Sequence, residues 1–151
     1  MAIMIEPTSL KDLDVLNRIE KACFTSEAYA REQLAYLLRS PKAISLVAKE
    51  DNETVGFIIG MKENYGKTAV GHIVTIDVLP EHRRAGVGLQ LLDTLEKEFI
   101  EQGVKTIYLE VRIDNQAARR LYAKKGYMKL EPLENYYSKG RHGLRMRKEI
   151  K

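Results

Sequence analysis

Cysteine is nearly absent from the sequence, because Cys23 is the single one among 151 residues. One thiol excludes an intrachain disulfide and a zinc site built from several cysteines. Long apolar runs are missing too: none approaches the roughly 18–20 residues of a membrane-spanning helix. The first residues, MAIMIEPTSL, lack the basic start and long apolar stretch of a secretory signal. We therefore expect a cytoplasmic protein that makes no contact with a membrane.

A strong excess of one charge is also missing, since the net charge is +4. Residues 139–151 carry six Lys/Arg and one Glu, a local charge of +5, so the rest of the chain sums to about −1. A solvated basic terminal strand explains this tail, and a patch for an anionic partner is the alternative. We expect no specific nucleic-acid binding. The length suits one domain over residues 1–151.

The spacing of apolar residues predicts the element order β-α-α-β-β-β-α-β-α-β-β, an α/β fold with a mixed sheet and helices on both faces. Strands are predicted over residues 2–6, 43–49, 55–61, 70–78, 106–111, 127–130 and 144–149. A long connection is predicted between the last two strands. Apolar stripes and capping residues predict four helices. They extend from Leu13 to Cys23, Leu34 to Leu38, Gly86 to Phe99 and Asn115 to Gly126.

The segment RRAGVG at residues 83–88 carries the strongest chemical signal, between an apolar strand and an amphipathic helix. Gly86 and Gly88 let the backbone approach a ligand closely, and the helix start offers unpaired N–H groups to a pyrophosphate. Arg83 and Arg84 can add charge-assisted contacts. A tight turn with two solvated arginines is the alternative interpretation. A Walker loop is excluded, and a dinucleotide fingerprint is weakened because position 91 is Leu.

This turn, the preceding IDV, the LEV of the next strand and the run NQAARRLYAKKGY together resemble the Gcn5-related N-acetyltransferase (GNAT) superfamily. The resemblance extends over residues 2–150 and implies the GNAT fold with acetyl-CoA as cosubstrate. His72, His82 and His142 share no metal-ligand spacing, so no metal is expected. Within the superfamily the chain looks most like the protein N-terminal acetyltransferases of the ribosomal-protein alanine and archaeal types. GHIVTIDVLPEHRRAGVG, LEVRIDNQAARRLYAKKGY and the pair Tyr136-Tyr137 carry this closer similarity.

The resemblance also implies which residues contact the cofactor. Ile76 to Val78, at the end of the strand before the turn, would lie beside the acetyl-pantetheine arm, as would Asn115. The turn from Arg83 to Gly88 would hold the pyrophosphate. With the catalytic Tyr122, the predicted set is Ile76, Asp77, Val78, Arg83, Arg84, Ala85, Gly86, Val87, Gly88, Asn115 and Tyr122.

Two residues are candidates for proton transfer. Glu110 lies on the polar side of TIYLEV and is the candidate base, acting through water. A salt bridge to Lys105 or Arg112 is the alternative role for Glu110. Tyr122 is the candidate acid for the CoA sulfur, because a tyrosine keeps its proton at neutral pH. A core position is the alternative for Tyr122.

The acceptor pocket is predicted between FTSEAY and the pair of tyrosines. Its candidate residues are Phe24, Glu27, Tyr29, Tyr136 and Tyr137, with Glu27 holding the ammonium group. Ordinary loop packing is the alternative for this aromatic group. The sequence departs from the resembled family at Gly140-Arg141-His142-Gly143, where an acidic run is usual.

The favoured function is acetyl-CoA-dependent acetylation of the N-terminal α-amine of a protein or peptide, with proximity to the ribosome as an option. Acetylation of lysine side chains or of a small amine such as a polyamine is the alternative. A non-catalytic CoA-binding module would be expected to lack Glu110 or Tyr122, and both are present. The oligomeric state, monomer or homodimer, stays open.

Overall fold

A computed structural model describes residues 2–24, 27–83 and 85–150 of the chain. Seven strands and four helices alternate in the predicted order. The strands are β1 (Met4–Pro7), β2 (Ala43–Glu50), β3 (Glu53–Tyr65), β4 (Thr68–Val78), β5 (Thr106–Arg112), β6 (Met128–Ser138) and β7 (Arg141–Glu149). The helices are α1 (Leu13–Cys23), α2 (Arg31–Arg39), α3 (Val87–Glu101) and α4 (Gln116–Lys124). Short 3-10 turns precede α1 and follow β4.

The strands form one sheet in the order β1-β2-β3-β4-β5-β7-β6. Among the strands of the described residues, the β4–β5 pair alone is parallel, and the other pairs are antiparallel. Helices α1 and α2 pack on one face, around Leu16, Leu34 and Phe57. Helix α3 packs on the other face, and α4 lies against the same cluster through Ala118 and Leu121. The predicted mixed sheet with helices on both faces is therefore confirmed.

Glycine brings α3 close to the sheet. A Cβ atom on Gly60 of β3 would lie 2.7 Å from Cζ of Phe99, and one on Gly71 of β4 would lie 2.8 Å from Cε2 of the same ring. Real Cβ atoms do not approach other atoms so closely, so glycine at both positions lets the buried Phe99 ring seat directly on the backbone.

Strands β4 and β5 separate part-way along their length. Their pairing runs from Val70 opposite Thr106 to Ile73 opposite Leu109 and stops there. At the same point β4 carries a bulge, because Ile73 pairs with Gly60 while Thr75 pairs with Ile59, which leaves Val74 as the extra residue. Backbone groups of β4 that point toward β5 beyond Ile73 consequently lack a partner on β5.

The end of the chain corrects one prediction. In place of short strands around a long connection, β6 and β7 form a long hairpin that turns at Lys139 and Gly140. The predicted connection is part of β6, which is an edge strand, where irregular pairing, Pro132 and the positive φ of Asn135 (53°) are tolerated. Among the described residues, no helix combines the length and apolar character needed to cross a membrane.

Candidate active site

An open cavity of ≈ 980 Å³ lies where β4 and β5 separate. Its wall includes every predicted site residue that the structure describes except Ala85. These are Phe24, Glu27, Tyr29, Ile76, Asp77, Val78, Arg83, Gly86, Val87, Gly88, Glu110, Asn115, Tyr122, Tyr136 and Tyr137. Arg84 lies outside the described residues. The fold thus brings together residues that are up to 113 positions apart, from Phe24 to Tyr137.

The start of α3 forms one end of the cavity. Gly86 caps the helix with φ 80° and ψ 8°, the left-handed region in which glycine is unstrained. Among the described residues, no side chain bonds to the cap, so the first N–H groups of a 15-residue helix remain available at the positive end of its dipole. Gly88, in the first turn, faces Leu121 and Val78. This end fits a phosphate group.

Two of the predicted cofactor residues have additional structural contacts. The Nε of Arg83 donates to the Val78 carbonyl at 2.9 Å, which folds the side chain back over the end of β4. The Oδ1 of Asn115 accepts from the Ala118 amide at 3.1 Å and caps α4, as predicted for the start of this helix. Asn115 also lines the cavity, and a side-chain amide has N–H donors that suit a contact with an amide carbonyl.

Glu110 is held at both carboxylate oxygens. Oε1 lies 2.7 Å from Nε2 of His72, and Oε2 accepts from Nε of Arg145 at 3.1 Å. Its side chain is 7% exposed. Burial works to raise the pKa of Glu110, but the hydrogen bonds and charges of His72 and Arg145 outweigh burial, so the pKa is lowered from its ordinary value. Glu110 is therefore an ionised carboxylate at neutral pH. It pairs with His72 on β4 and Arg145 on β7 in place of Lys105 or Arg112, the partners considered from the sequence.

His72 is a site residue that the sequence analysis did not select. It stands beside Tyr108 in the β4–β5 register, and their rings stack at 4.4 Å with 7° between the planes. Strand alternation places Tyr108 and Glu110 on one face of β5, so the signal was present on that strand. The missing information was that β4 and β5 are neighbours, since 27 residues separate Val78 from Thr106 in the chain and pairing is not visible there.

Tyr122 lies on α4 with its side chain buried and its ring edge-on to Tyr127, at 5.8 Å between centroids. Burial raises the pKa of Tyr122 well above its ordinary value, and the charge of Asp77 adds to the effect. The hydroxyl keeps its proton, so it can donate a hydrogen bond or a proton into the cavity. Tyr122 is part of the buried core and also lines the cavity, so a core position does not exclude the role of acid.

Three tyrosines line the opposite end of the cavity. Tyr136 and Tyr137 on β6 pack edge to face, with 4.9 Å between their ring centroids. Burial raises the pKa of Tyr29, and the electrostatic interaction with Tyr136 raises this pKa further. Gly143 on β7 makes room for the pair, because a Cβ atom there would lie 3.2 Å from Cβ of Tyr136 and 3.3 Å from Cε2 of Tyr137. The aromatic wall is thus built by residues of two segments of the chain.

The geometry agrees with comparisons to known proteins. The model of the acetyltransferase (GNAT) family matches residues 13–127. The chain belongs to the GNAT acetyltransferase family. It is 32% identical over 145 residues to an N-alpha-acetyltransferase of Sulfurisphaera tokodaii, covering 90% of this chain and 86% of the relative. It is 31% identical over 137 residues to the [ribosomal protein bS18]-alanine N-acetyltransferase of Haemophilus influenzae, covering 84% and 90%.

The structure of Ard1 from Thermoplasma volcanium superposes on this GNAT chain with a TM-score of 0.89 and 31% identity, covering 100% of this chain and 99% of that one. The predicted family, fold and enzyme class are therefore confirmed: the protein is an N-acetyltransferase, and acetyl-CoA is the acyl donor of its family.

Glu27 of this acetyltransferase is joined to two arginines. Its carboxylate lies 3.3 Å from Nη1 of Arg112 on β5 and 3.6 Å from Nη1 of Arg141 on β7. His142, the other basic residue of the unusual run, accepts from the Asn135 amide at 2.9 Å through Nδ1. The ion pairs hold Glu27 against β5 and β7, and the His142 contact lies within the β6–β7 hairpin. Because two guanidinium groups neutralise Glu27, its geometry favours this structural contact over holding an ammonium group.

A second carboxylate cluster lies beneath the cavity, where Glu20 and Asp77 are each 1% exposed. The Thr75 hydroxyl lies 3.2 Å from Oε1 of Glu20 and 2.7 Å from Oδ1 of Asp77. One hydroxyl proton serves one of these contacts, so the other requires a proton on a carboxyl group. Burial, with the charge of Glu20, raises the pKa of Asp77 well above its ordinary value. Within the described chain, Oδ2 of Asp77 has no hydrogen-bond partner.

Cys23 lies between this cluster and the end of β4. Its Sγ donates to the Val78 carbonyl at 3.4 Å, and burial raises the pKa of the thiol to about 11. A thiol with that pKa is a poor nucleophile, in agreement with its assignment to the apolar stripe of α1. In the part of the chain that the structure describes, no group of three His, Cys, Asp or Glu side chains is arranged to hold a metal ion.

Proposed function

We propose that this acetyltransferase transfers the acetyl group of acetyl-CoA to the N-terminal α-amine of proteins or peptides. The observation that carries the proposal is the double pairing of Glu110, which makes it a weak base. At pH 7 roughly one α-amine in ten is already neutral, but fewer than about one lysine amine in a thousand is. A weak base suits the first acceptor much better than the second.

The α3 end of the cavity binds the pyrophosphate in this proposal, through the N–H groups that follow Gly86 and through Arg83 and Arg84. Acetyl-CoA supplies a thioester whose carbonyl carbon the acceptor amine attacks. Backbone N–H groups of β4 beyond Ile73, which β5 does not pair, are placed to stabilise negative charge on the carbonyl oxygen. Asn115 orients the pantetheine arm.

Proton transfer uses the opposite wall of the same cavity. Glu110, aligned by His72 and Arg145, accepts the proton of the amine through a water molecule. Tyr122 donates to the departing sulfur, and burial, which raises the pKa of Tyr122, keeps its hydroxyl protonated at neutral pH before the transfer. Phe24, Tyr29, Tyr136 and Tyr137 enclose the first side chain of the acceptor. The reaction takes place in one direct transfer without a covalent enzyme form.

Relatives named for N-terminal acetylation support this acceptor class, and one of them is named for a ribosomal protein. A position near the ribosome follows as part of the proposal, because nascent chains expose free N-termini there. The cytoplasmic location and the oligomeric state, monomer or homodimer, stay predictions.

A peptide panel tests the acceptor. Release of CoA is measured with peptides that begin with free Met, Ala, Ser or Met-Glu, each beside a copy with a blocked N-terminus and an internal lysine. Polyamines are run in parallel. We expect turnover with free N-termini and at least about a hundredfold less with blocked copies, from the difference in neutral amine. Comparable turnover of blocked peptides or polyamines would instead support acetylation of lysine or small amines.

A further inference from the structure

Helix α4 and the residue that ends it carry four cations, which differ in their partners. Arg119 donates from Nη1 to a backbone carbonyl at 2.7 Å, and Lys125 pairs with a carboxylate of α3. Arg120 and Lys124 make no hydrogen bond or ion pair with any other residue that the structure describes. These two residues, the α4 cation pair, belong to the wall of the cavity, whereas Arg119 and Lys125 do not. The cations without a protein partner are thus the ones that a ligand in the cavity can reach.

The α4 cation pair lies beside the start of α3. Ala117, Arg120, Leu121 and Lys124 line the cavity at the spacing of one helix face. Leu121 comes between the two cations in the chain and faces Gly88, because a Cβ atom on that glycine would lie 3.4 Å from Cδ2 of Leu121. Gly88 is in the first turn of α3. The face of α4 that carries the two cations is therefore next to the free amides at the start of α3.

The charge pattern of α4 is unfavourable for the helix by itself. Residues 116–125 (QAARRLYAKK) contain four cations and no acidic residue. Arg120 and Lys124 are four positions apart, which is the spacing at which like charges repel each other on a helix surface. An acidic residue at either position would instead form a stabilising pair. A bound anion removes this repulsion, so the pattern fits a helix that contacts an anionic ligand.

The carboxylates around α4 are paired with other cations. Asp93 and Glu96 of α3 pair with lysines that do not line the cavity. Asp114, just before α4, pairs with Arg112 at 2.8 Å, and this arginine also contacts a second carboxylate. Among the Lys and Arg residues of the cavity wall that the structure describes, the positive charge without a carboxylate partner is therefore on Arg83 and the α4 cation pair.

Acetyl-CoA, the acyl donor of the family, has more than one phosphate group to bind. In the proposed function its pyrophosphate lies on the first amides of α3, with Arg83 and Arg84. Its ribose carries a separate 3′-phosphate, a monoester with a charge of about −1.5 to −2 at pH 7. The ribose is joined to the pyrophosphate on the side away from the pantetheine arm. Two further cations beside the start of α3 match this second phosphate in charge and in place.

We propose that Arg120 and Lys124 bind the 3′-phosphate of acetyl-CoA and make this enzyme selective for the 3′-phosphorylated cosubstrate. Guanidinium and ammonium groups form charge-assisted hydrogen bonds to phosphate oxygens, and these are stronger than hydrogen bonds between neutral groups. The inference rests on the proposed function for the position of the pyrophosphate and is independent of the acceptor. Both residues contribute to binding of the cosubstrate and do not take part in the transfer of the acetyl group.

Calorimetric titration with CoA and with 3′-dephospho-CoA tests the proposal without an acceptor and without turnover. We expect the wild type to bind CoA at least about tenfold more tightly than dephospho-CoA, the effect of hydrogen bonds to a charged group. In the double variant Arg120→Gln, Lys124→Gln, the Kd of CoA should rise about tenfold while the Kd of dephospho-CoA stays within a factor of about two. The ratio of the two Kd values then approaches one.

Three outcomes would overturn the proposal. The first is a wild type that binds CoA and dephospho-CoA equally. The second is a double variant whose ratio of Kd values equals that of the wild type. The third is a double variant that binds both ligands more weakly by the same factor, because the α4 cation pair would then act on the pyrophosphate.

Arg119→Gln is the matched control, because it removes the same charge from the adjacent position of α4 but outside the cavity wall. We expect the ratio of Kd values in this variant to equal that of the wild type. If Arg119→Gln lowers the ratio as far as the double variant does, any charge on α4 serves, and the assignment to Arg120 and Lys124 is overturned. Both substituted side chains belong to exposed residues, so the thermal unfolding midpoint of the double variant should equal or exceed that of the wild type.

Gly86→Ala separates this proposal from the proposed function. It changes the amides that would hold the pyrophosphate, so it should weaken binding of CoA and dephospho-CoA by the same factor and leave their ratio at the wild-type value. If Gly86→Ala leaves both Kd values unchanged, the pyrophosphate site at α3 fails, but the ratio in the double variant still decides the role of Arg120 and Lys124. A wild type that acetylates lysine instead of N-termini contradicts the proposed acceptor and leaves this test unaffected.

Discussion

The two ends of the cavity are formed by different kinds of groups, backbone at one end and side chains at the other. The end at α3 consists of backbone groups: the left-handed Gly86, the first amides of the helix and the part of β4 that β5 leaves unpaired. The opposite end consists of side chains: the Glu110 cluster, the tyrosine wall and the ion pairs of Glu27. The turn at Gly86 is set by local geometry and is readable in the sequence. The contacts of Glu110 and Glu27 depend on which strands are neighbours and are not readable there.

This contrast has a consequence for mutation. At the start of α3, a substitution affects the backbone site only if it changes the backbone geometry, so many side chains there can vary. At the side-chain end, the removal of a single charge or ring changes chemistry directly. The variants below test the contrast, from the largest expected effect to the smallest.

Removal of the Glu110 charge should have the largest effect. Glu110→Gln keeps the shape but takes away the proton acceptor, so we expect kcat to fall by about a hundredfold with little change in KM for acetyl-CoA. Initial rates of CoA release measure it, and Glu149→Gln serves as the matched carboxylate control. A kcat within a factor of about two of wild type would remove Glu110 from the mechanism.

A change of backbone geometry at Gly86 should come next. Gly86→Ala forces a Cβ atom into the left-handed region and redirects the amides at the helix start, so KM for acetyl-CoA should rise about tenfold. Gly66 has a similar φ of 63° with open space around it, so Gly66→Ala carries the same strain far from the cavity. If both variants raise KM equally, the effect is general destabilisation and the backbone end is not the phosphate site.

The buried pair of carboxyl groups should affect stability. The folded state raises the pKa of Asp77, so wild-type stability declines as pH rises from about 4, where the unfolded group ionises, toward the folded pKa. Asp77→Asn removes that cost and should be more stable by about 1–2 kcal/mol at pH 7, with the difference shrinking toward pH 4. Urea unfolding at several pH values measures it. A difference independent of pH would show that ionisation of Asp77 is not its source.

A small change behind the tyrosine wall should have the smallest effect. Gly143→Ala places a Cβ atom 3.2 Å from Tyr136, so the ring pair must shift by a few tenths of an ångström. We expect KM for the peptide to rise about threefold, since the pair helps enclose the acceptor side chain. KM for acetyl-CoA is the internal control and should stay unchanged. Equal changes in both constants would place the tyrosines outside the acceptor pocket.

Local signals in the sequence predicted the element order, the start of α3 at Gly86 and the cap of α4 at Asn115. Each depends on residues within one turn of each other. The sequence did not predict the His72–Glu110 contact or the pairing of Glu27 with Arg112 and Arg141, because these depend on which strands are neighbours. The full length of the β6–β7 hairpin was also missed, because an edge strand tolerates residues such as Pro132 and so lacks a regular strand pattern.

The bulge at Val74 lets β4 present two successive residues to the same face of the sheet. Before the bulge, Gly71 faces α3, and His72 faces the side of Glu110. After it, Thr75 faces Glu20, and Ile76 joins the α3 core. Val74 packs with the cluster around α1 and α2, on the face that Thr75 also occupies. Removal of Val74 would therefore join Ile73 to Thr75, which already pair with the adjacent residues Gly60 and Ile59, and would leave the other side chains of β4 on their present faces.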